Sequence, residues 1–177
     1  MRKLVILALL ALVSAGGALG AEPASPHLGR SATPDEIARA DISIDPSGSN
    51  LPPGSGSAGQ GAAIFAAKCQ ACHGPAGANG PMDRLTGGVG SLATKAPIQT
   101  VNSYWPYATT LFDYIRRAMP LPAPRSLTND EAYALAAYIL SVDKIVPADA
   151  VLDAASLPKV RMPNRDGFVS AEPRGFR

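Results

Sequence analysis

Cys69-Gln70-Ala71-Cys72-His73 holds both cysteines of the chain and one of its two histidines. Two cysteines three positions apart lie on one side of a helical turn, so both thiols can bond to a single group. The histidine that follows adds an imidazole beside them. The C-x-x-C-H pattern is typical of c-type haem attachment. It predicts one haem c, attached covalently through Cys69 and Cys72, with His73 as an axial ligand of the iron.

Three other uses of this motif fit the sequence less well. A structural disulfide does not require His73, and a thioredoxin-like redox pair needs a βαβ setting that the sequence does not show. A zinc site needs two further ligands, whereas the other histidine, His27, stands far from the motif. Haem attachment is therefore the favoured interpretation.

The first twenty residues have the three parts of a secretory signal peptide. Arg2 and Lys3 precede an apolar run over 4–13, and small residues follow it as far as Gly20. The run is shorter than the roughly 20 residues that a membrane span needs, so an uncleaved anchor is the less favoured alternative. The pattern predicts that residues 1–20 are removed, that the mature chain is periplasmic, and that it keeps no membrane attachment.

Cleavage would change the charge balance of the chain. The sequence has 16 basic and 14 acidic residues, and its first twenty residues include two of the basic ones and no acid. Because 16 minus 2 is 14, the mature chain would be formally neutral. A neutral chain sets up no broad positive field, which argues against nucleic acid as a partner.

Composition divides the mature chain into an arm, a core and a tail. Residues 21–58 are rich in Pro, Ser and Gly, and residues 143–177 carry four spaced prolines, so both extensions are predicted to be irregular. Residues 59–142 hold both cysteines and the clear helical patterns. This core is small for a purely apolar one, and a haem at its centre would supply the missing apolar body.

Three helices are predicted in the core, and no segment shows convincing strand alternation, so the fold class is all-α. The helices lie at 61–68 behind a capping box of Ser57 and Gln60, at 108–118 before Pro120, and at 132–140 behind a capping box of Thr128 and Glu131.

The second axial ligand is open among three methionines. Met119 lies 46 positions after His73, which is far enough for the chain to reach the opposite haem face. Met82 lies only nine positions after His73, and Met162 is in the tail. Met119 is the favoured ligand. A Met/His pair raises the reduction potential and suits electron transfer, whereas an open site would suit gas binding or peroxide chemistry.

Other residues are predicted to support the haem. A ligating histidine usually donates its second ring N–H to a fixed acceptor, and the Pro81 carbonyl is the candidate here. Trp105 or Tyr104 could donate to a haem propionate, although these rings could equally do no more than pack. Arg116 and Arg117 could bind propionates or an acidic partner, or could simply be solvated.

The motif and its surroundings resemble class I cytochrome c. The resemblance rests on Gly61 with Phe65, the motif at 69–73, Met119-Pro120 and Tyr138. It implies three main helices around one covalently bound haem, with the first and last helices crossing at Gly61, Phe65 and Tyr138. In this sequence, that fold would carry long irregular extensions at both ends.

A longer set of strings resembles the cytochrome subunit of sulfite and sulfur dehydrogenases of the sulfur-oxidation system. The longest is Ser-Tyr-Trp-Pro-Tyr-Ala-Thr-Thr-Leu-Phe-Asp-Tyr-Ile-Arg-Arg-Ala-Met-Pro at 103–120, and shorter ones lie at 29–34, 51–56, 156–158 and 161–168. The resemblance implies a periplasmic cytochrome that takes electrons from a molybdenum-cofactor catalytic subunit and passes them to a downstream cytochrome c. Some members carry two haem domains, whereas this chain has one C-x-x-C-H motif.

The extensions suggest a second hypothesis. Apolar residues are spaced through the irregular tail, at Leu152, Leu157, Val160, Met162 and Phe168. They could dock the chain onto a catalytic subunit, or they could pack onto the chain's own surface. Two other functions stay open: a free-standing mobile cytochrome c, and a haem sensor or peroxidase-like protein with an open sixth site. The sequence shows no catalytic constellation of its own.

Overall fold

The computed structural model describes residues 28–169 and residue 171. The predicted signal peptide lies outside the described residues. The chain divides into two compact units, of which the first ends at Ala40 and the second begins at Asp41. No described helix is long and apolar enough to cross a membrane.

Helices account for most of the regular structure. In chain order the elements are α1 (Pro34–Ala40), β1 (Ser55–Ser57), α2 (Ala58–Lys68), α3 (Gln70–His73), α4 (Val101–Tyr104), α5 (Ala108–Ala118), α6 (Asn129–Val142) and β2 (Val151–Asp153), with 3₁₀ turns at Pro75–Gly77, Ser91–Ala93 and Leu157–Lys159. The three helices predicted for the core are confirmed as α2, α5 and α6.

The first unit contains α1, which the composition of the arm did not predict. Thr33 and Glu36 cap its start, because each side chain accepts a hydrogen bond from the other residue's backbone N–H. Arg30 also donates to the Glu36 carboxylate, and together these bonds lower the pKa of Glu36 to about 2. The helix is therefore specified by local polar contacts rather than by an apolar face.

Helices α2 and α6 of the second unit begin at capping boxes, as the sequence predicts. Ser57 accepts from the Gln60 backbone N–H and the Gln60 side chain accepts from Ser57. Thr128 and Glu131 make the same reciprocal pair at α6. Each box satisfies backbone donors that the first helical turn leaves without partners.

Helices α2 and α6 cross where their side chains are smallest. A Cβ atom on Gly61 would overlap the carbonyl group of Ala134, so only glycine permits this approach. One turn further along α2, the ring of Phe65 packs against Tyr138 at 5.2 Å between centroids. The predicted crossing at Gly61, Phe65 and Tyr138 is confirmed.

Helix α5 completes the core against α6. Its buried face includes Leu111, Phe112 and Ile115, and Phe112 lies 4.3 Å from the Tyr133 ring of α6. These apolar residues recur at helical spacing, which explains why one side of α5 is buried and the other is polar.

The arm from residue 41 onward and the described part of the tail belong to the second unit. Strands β1 and β2 pair antiparallel, with Gly56 opposite Leu152, and so join the end of the arm to the tail. Leu157 and Met162 of the tail are buried in the same core cluster as the helices. The prediction of no strands omitted this short pair, whose three-residue strands are too short to show alternation.

The docking hypothesis for the tail is corrected by this packing. Leu152, Leu157 and Met162 are buried, and Val160 packs against the core cluster, so these side chains are occupied within the chain. Phe168 remains half exposed and contacts the ring of Tyr104 at 5.1 Å. The spacing of the buried residues reflects the chain's own core.

Candidate haem site

The C-x-x-C-H motif lies at the junction of two helices. Cys69 ends α2, with its backbone N–H bonded to the Phe65 carbonyl, and α3 spans Gln70–His73. The His73 N–H donates to the Cys69 carbonyl at 3.0 Å. The motif therefore follows directly from α2. Because α2 packs against α6 at Gly61 and Phe65, α2 sets the position of the motif.

The two cysteines do not form a disulfide, and their surroundings differ. Cys69 is partly buried and Cys72 is exposed. Burial raises the pKa of the Cys69 thiol, an effect that the nearby Lys68 ammonium opposes. The two cysteines therefore differ in their access to solvent.

The acceptor for His73 differs from the predicted one. The Nδ1 atom of His73 lies 2.7 Å from the carbonyl oxygen of Asp83, not from that of Pro81. The Met82 backbone N–H donates to the Cys72 carbonyl at 2.9 Å, which holds the returning chain beside α3. The acceptor is therefore the carbonyl of Asp83, two positions after the predicted Pro81. A backbone acceptor gives no side-chain signal by which the sequence could identify it.

The donor set fits a c-type haem. Because Asp83 offers only a carbonyl acceptor, the His73 Nδ1 atom carries the proton and its Nε2 lone pair is left for a metal. Two unpaired thiols stand at the spacing that thioether attachment needs. Among the described residues, no group of three or more Cys, His, Asp or Glu could hold a metal on its own. Zinc is therefore disfavoured.

The three candidate methionines have different surroundings. Met119 follows the last residue of α5, is partly buried, and donates its backbone N–H to the Ile115 carbonyl. Met82 is 50% exposed and bonded to Cys72, on the segment that follows the motif. Met162 is 1% exposed within the apolar core. Met119 stays the predicted second ligand.

The two aromatic residues predicted near the propionates are held by ring contacts. Trp105 packs edge-on against Tyr114 at 5.7 Å, and Tyr104 packs against Phe168. Within the described part of the chain, no hydrogen bond occupies the Trp105 ring N–H or the Tyr104 hydroxyl. Both donors stay available, and their bonds to propionates remain a prediction.

The two arginines before Met119 have protein partners. Arg117 forms an i,i+4 ion pair with Asp113, and this bond raises the pKa of Arg117. Arg116 donates through Nε to the Asn129 side chain at 3.1 Å. The charge of Arg117 is therefore largely balanced by Asp113 on the same helix. The partner of Arg116 in this hydrogen bond, Asn129, is uncharged.

Comparisons with known proteins agree with this site. The family model for cytochrome c matches residues 58–143. The crystal structure of the sulfane dehydrogenase SoxCD from Paracoccus pantotrophus contains a chain that is 39% identical and superposes with a TM-score of 0.76, over 82% of this chain and 72% of that one. No curated protein sequence matches the chain.

The matched family model contains the whole C-x-x-C-H motif, and the three-helix core is that of a class I cytochrome c. The chain therefore belongs to the cytochrome c family and binds one haem c covalently through Cys69 and Cys72.

Proposed function

We propose that this electron-transfer cytochrome is a subunit of a periplasmic sulfite or sulfur dehydrogenase. It takes electrons from a catalytic subunit that carries the molybdenum cofactor and passes them to a downstream cytochrome c. The observation that supports this proposal most strongly is the extent of the likeness to a chain of the SoxCD sulfane dehydrogenase.

That likeness reaches beyond the cytochrome domain. Since 82% of 177 residues is about 145 residues, the match is much longer than the 86 residues of the family model at 58–143. It must therefore include a large part of the extensions. Although the buried residues of the tail serve the chain's own core, a likeness of this length favours the same kind of subunit over a shared haem site alone.

The chemistry expected of the chain is one-electron transfer. Haem c, when bound, supplies an iron centre that cycles between ferric and ferrous states. His73 would hold the iron through Nε2, with its ring fixed by the Asp83 carbonyl. Met119 would fill the opposite position and favour the ferrous state, because a thioether sulfur is a weak donor to ferric iron.

Oxidation of the sulfur substrate is assigned to another subunit. The chain has two cysteines, and both are used for haem attachment. It therefore has no thiolate left to bind molybdenum. The cytochrome would relay the electrons that the catalytic subunit releases.

Purification from the native host tests this proposal. The tagged holoprotein would be isolated from the periplasmic fraction, assayed for molybdenum, and mixed with sulfite while the ferrous haem absorption is recorded. Sulfur intermediates on a carrier protein would be tried next. We expect molybdenum to co-purify and one of these substrates to reduce the haem.

The control is a Cys69→Ala, Cys72→Ala variant, which cannot attach haem and should show no reduction. A cytochrome that purifies without molybdenum, stays oxidised with every sulfur substrate, and is reduced by several unrelated donors would instead be a mobile carrier. Ready binding of carbon monoxide to the wild-type ferrous protein would favour a sensor or peroxidase-like function.

A further inference from the structure

A partly buried polar cluster lies at the end of α6, outside the haem motif. The Asp143 carboxylate accepts through Oδ2 from the Gly87 backbone N–H at 2.5 Å and from the Asn102 side-chain amide at 2.7 Å. The same amide nitrogen donates to the Ile139 carbonyl at 2.8 Å. These four residues are called the Asp143 cluster.

The orientation of Asn102 in this cluster is fixed by its partners. Its amide nitrogen lies between two acceptors, the Asp143 carboxylate and the Ile139 carbonyl, so a flipped amide would place oxygen against oxygen. Asn102 is fully buried, and its own Oδ1 has no partner among the described residues. The two bonds from its amide nitrogen therefore fix the Asn102 side chain against Asp143 and Ile139.

The cluster holds one short segment at several points. The Asn102 backbone N–H donates to the Leu85 carbonyl, Asp143 binds the Gly87 N–H, and the Thr100 hydroxyl donates to the Gly87 carbonyl at 2.7 Å. Gly87 has a positive φ of 83°, a conformation that favours glycine. The segment 85–87 is thereby fixed to α4 and to the end of α6.

The same segment continues directly into the acceptor of His73. Asp83, two residues before Leu85, offers the carbonyl that lies 2.7 Å from His73 Nδ1. Leu85 also donates its N–H to the Gly77 carbonyl, just after the motif. A shift of segment 85–87 would therefore move the Asp83 carbonyl relative to the imidazole.

We propose that Asp143 is a positioning residue for the haem ligand His73: through Gly87 and Asn102 it holds the segment whose Asp83 carbonyl accepts the His73 Nδ1 hydrogen. A strong bond at Nδ1 makes the imidazole a better donor to iron and stabilises the ferric state. Asp143 thereby lowers the reduction potential. The inference rests on His73 being the axial ligand, and it is independent of the dehydrogenase partner.

Three variants of the full-length holoprotein test this inference. Asp143→Ala removes both acceptor contacts. Asp143→Asn removes the charge but keeps an amide oxygen that can face the same two donors. Asp149→Ala removes a negative charge from an exposed position on the tail and serves as a further control. If Asp143→Ala does not fold, Asp143→Ser replaces it, because its hydroxyl is too short to reach both donors.

Two measurements are made on each variant. Spectroelectrochemistry gives the reduction potential, and proton NMR of the ferrous protein gives the solvent exchange rate of the His73 Nδ1–H. We expect Asp143→Ala to raise the reduction potential. We also expect it to speed the exchange of the Nδ1 hydrogen about tenfold, because the net free energy of one hydrogen bond to a charged group corresponds to roughly a tenfold change in an equilibrium constant. Asp143→Asn and Asp149→Ala should stay close to wild type.

Three results would overturn the inference. An unchanged exchange rate and potential in Asp143→Ala would show that the segment stays in place without the cluster. Equal shifts in Asp143→Ala and Asp143→Asn would show that only the charge of Asp143 acts on the iron. Absence of haem-shifted His73 resonances in the wild-type ferrous protein would instead refute the ligand assignment.

Discussion

Tyr133 donates its hydroxyl hydrogen to the carbonyl of Pro52 at 2.9 Å, across 81 positions of sequence. The bond joins the middle of the core to the arm that the sequence predicts to be irregular. Burial, reinforced by the Asp153 carboxylate, raises the pKa of Tyr133 to about 12. The hydroxyl therefore keeps its proton over the physiological pH range, and the hydrogen bond that holds the arm at Pro52 is kept with it.

The first prediction concerns this anchor. Tyr133→Phe should lower the free energy of unfolding by about 1 kcal/mol, because it leaves the Pro52 carbonyl without its donor. Denaturant unfolding of the holoprotein measures the loss. Tyr138→Phe, on the same helix and packed against Phe65, is the matched control and should be nearly neutral. Equal losses in the two variants would contradict the role of the bond.

The second prediction compares two glycines of α2. Gly61→Ala should lower the free energy of unfolding by about 1–3 kcal/mol, since the new methyl group overlaps the Ala134 backbone and forces the helices apart. Gly59→Ala adds its methyl group in open space. It should stabilise the helix by about 0.5–1 kcal/mol. Thermal and denaturant unfolding check both values, and a destabilised Gly59→Ala would rule out the packing explanation.

The sequence predicts the helical core well because the signals there are local. The capping pairs Ser57–Gln60 and Thr128–Glu131 lie three positions apart, and each occurs in the structure. The C-x-x-C-H motif likewise holds both attachment cysteines and the histidine ligand within five residues. Such patterns depend on neighbours in sequence, so they can be interpreted without knowing the tertiary structure.

The remaining features depend on contacts between distant residues. The acceptor of His73 is a backbone carbonyl, so Asp83 could not be distinguished from Pro81 by residue type. The tail was predicted to be irregular, and its apolar residues gave no sign of whether they face a partner or the chain's own core. Their burial in the chain's own core decides this, and the pairing of β1 with β2, which joins segments about 95 positions apart, is part of the same tertiary packing.

The third prediction concerns acid stability. Lys68, beside the haem motif, donates to the Glu131 carboxylate at 2.5 Å, and this bond with the Thr128 N–H lowers the pKa of Glu131. Because the folded-state pKa lies below the ordinary value of 4.5, the stabilisation is present at neutral pH and is lost as pH falls below that value.

Substitution of Lys68 tests that pH dependence. Lys68→Met should lower the free energy of unfolding at neutral pH by about 1 kcal/mol or less, because both side chains are partly exposed. The difference from wild type should shrink as the pH is lowered through the acid range. Denaturant unfolding at several pH values measures it, with exposed Lys95→Met as control. A difference that is constant with pH would exclude the ion pair as its cause.

The fourth prediction tests whether the tail belongs to the core. Leu157 is fully buried, whereas Val151 on β2 is 59% exposed. Leu157→Ala should lower the free energy of unfolding by about 2–5 kcal/mol through lost burial and the cavity that remains. Val151→Ala should change it by less than about 0.5 kcal/mol. If Leu157→Ala keeps wild-type stability but weakens binding to a catalytic subunit, the tail is a docking element after all.

The fifth prediction separates the three candidate methionines by substituting each with alanine. Met119→Ala should let carbon monoxide bind the reduced protein readily and should lower the reduction potential, because removal of a thioether ligand favours ferric iron. Met82→Ala should change neither property, since Met82 is half exposed beside Cys72. Met162→Ala should lower the free energy of unfolding by about 2–5 kcal/mol while the haem spectrum is retained, because Met162 fills the apolar core.

The decisive comparison is between Met119→Ala and Met162→Ala, since both side chains are at least partly buried and only one should touch iron. Carbon monoxide titration and potentiometry distinguish a lost ligand from a lost packing contact, because a packing defect alone leaves the sixth position filled. A wild-type spectrum in Met119→Ala, together with carbon monoxide binding in Met162→Ala, would transfer the ligand role to the tail. The tail would then complete the haem site as well as the core.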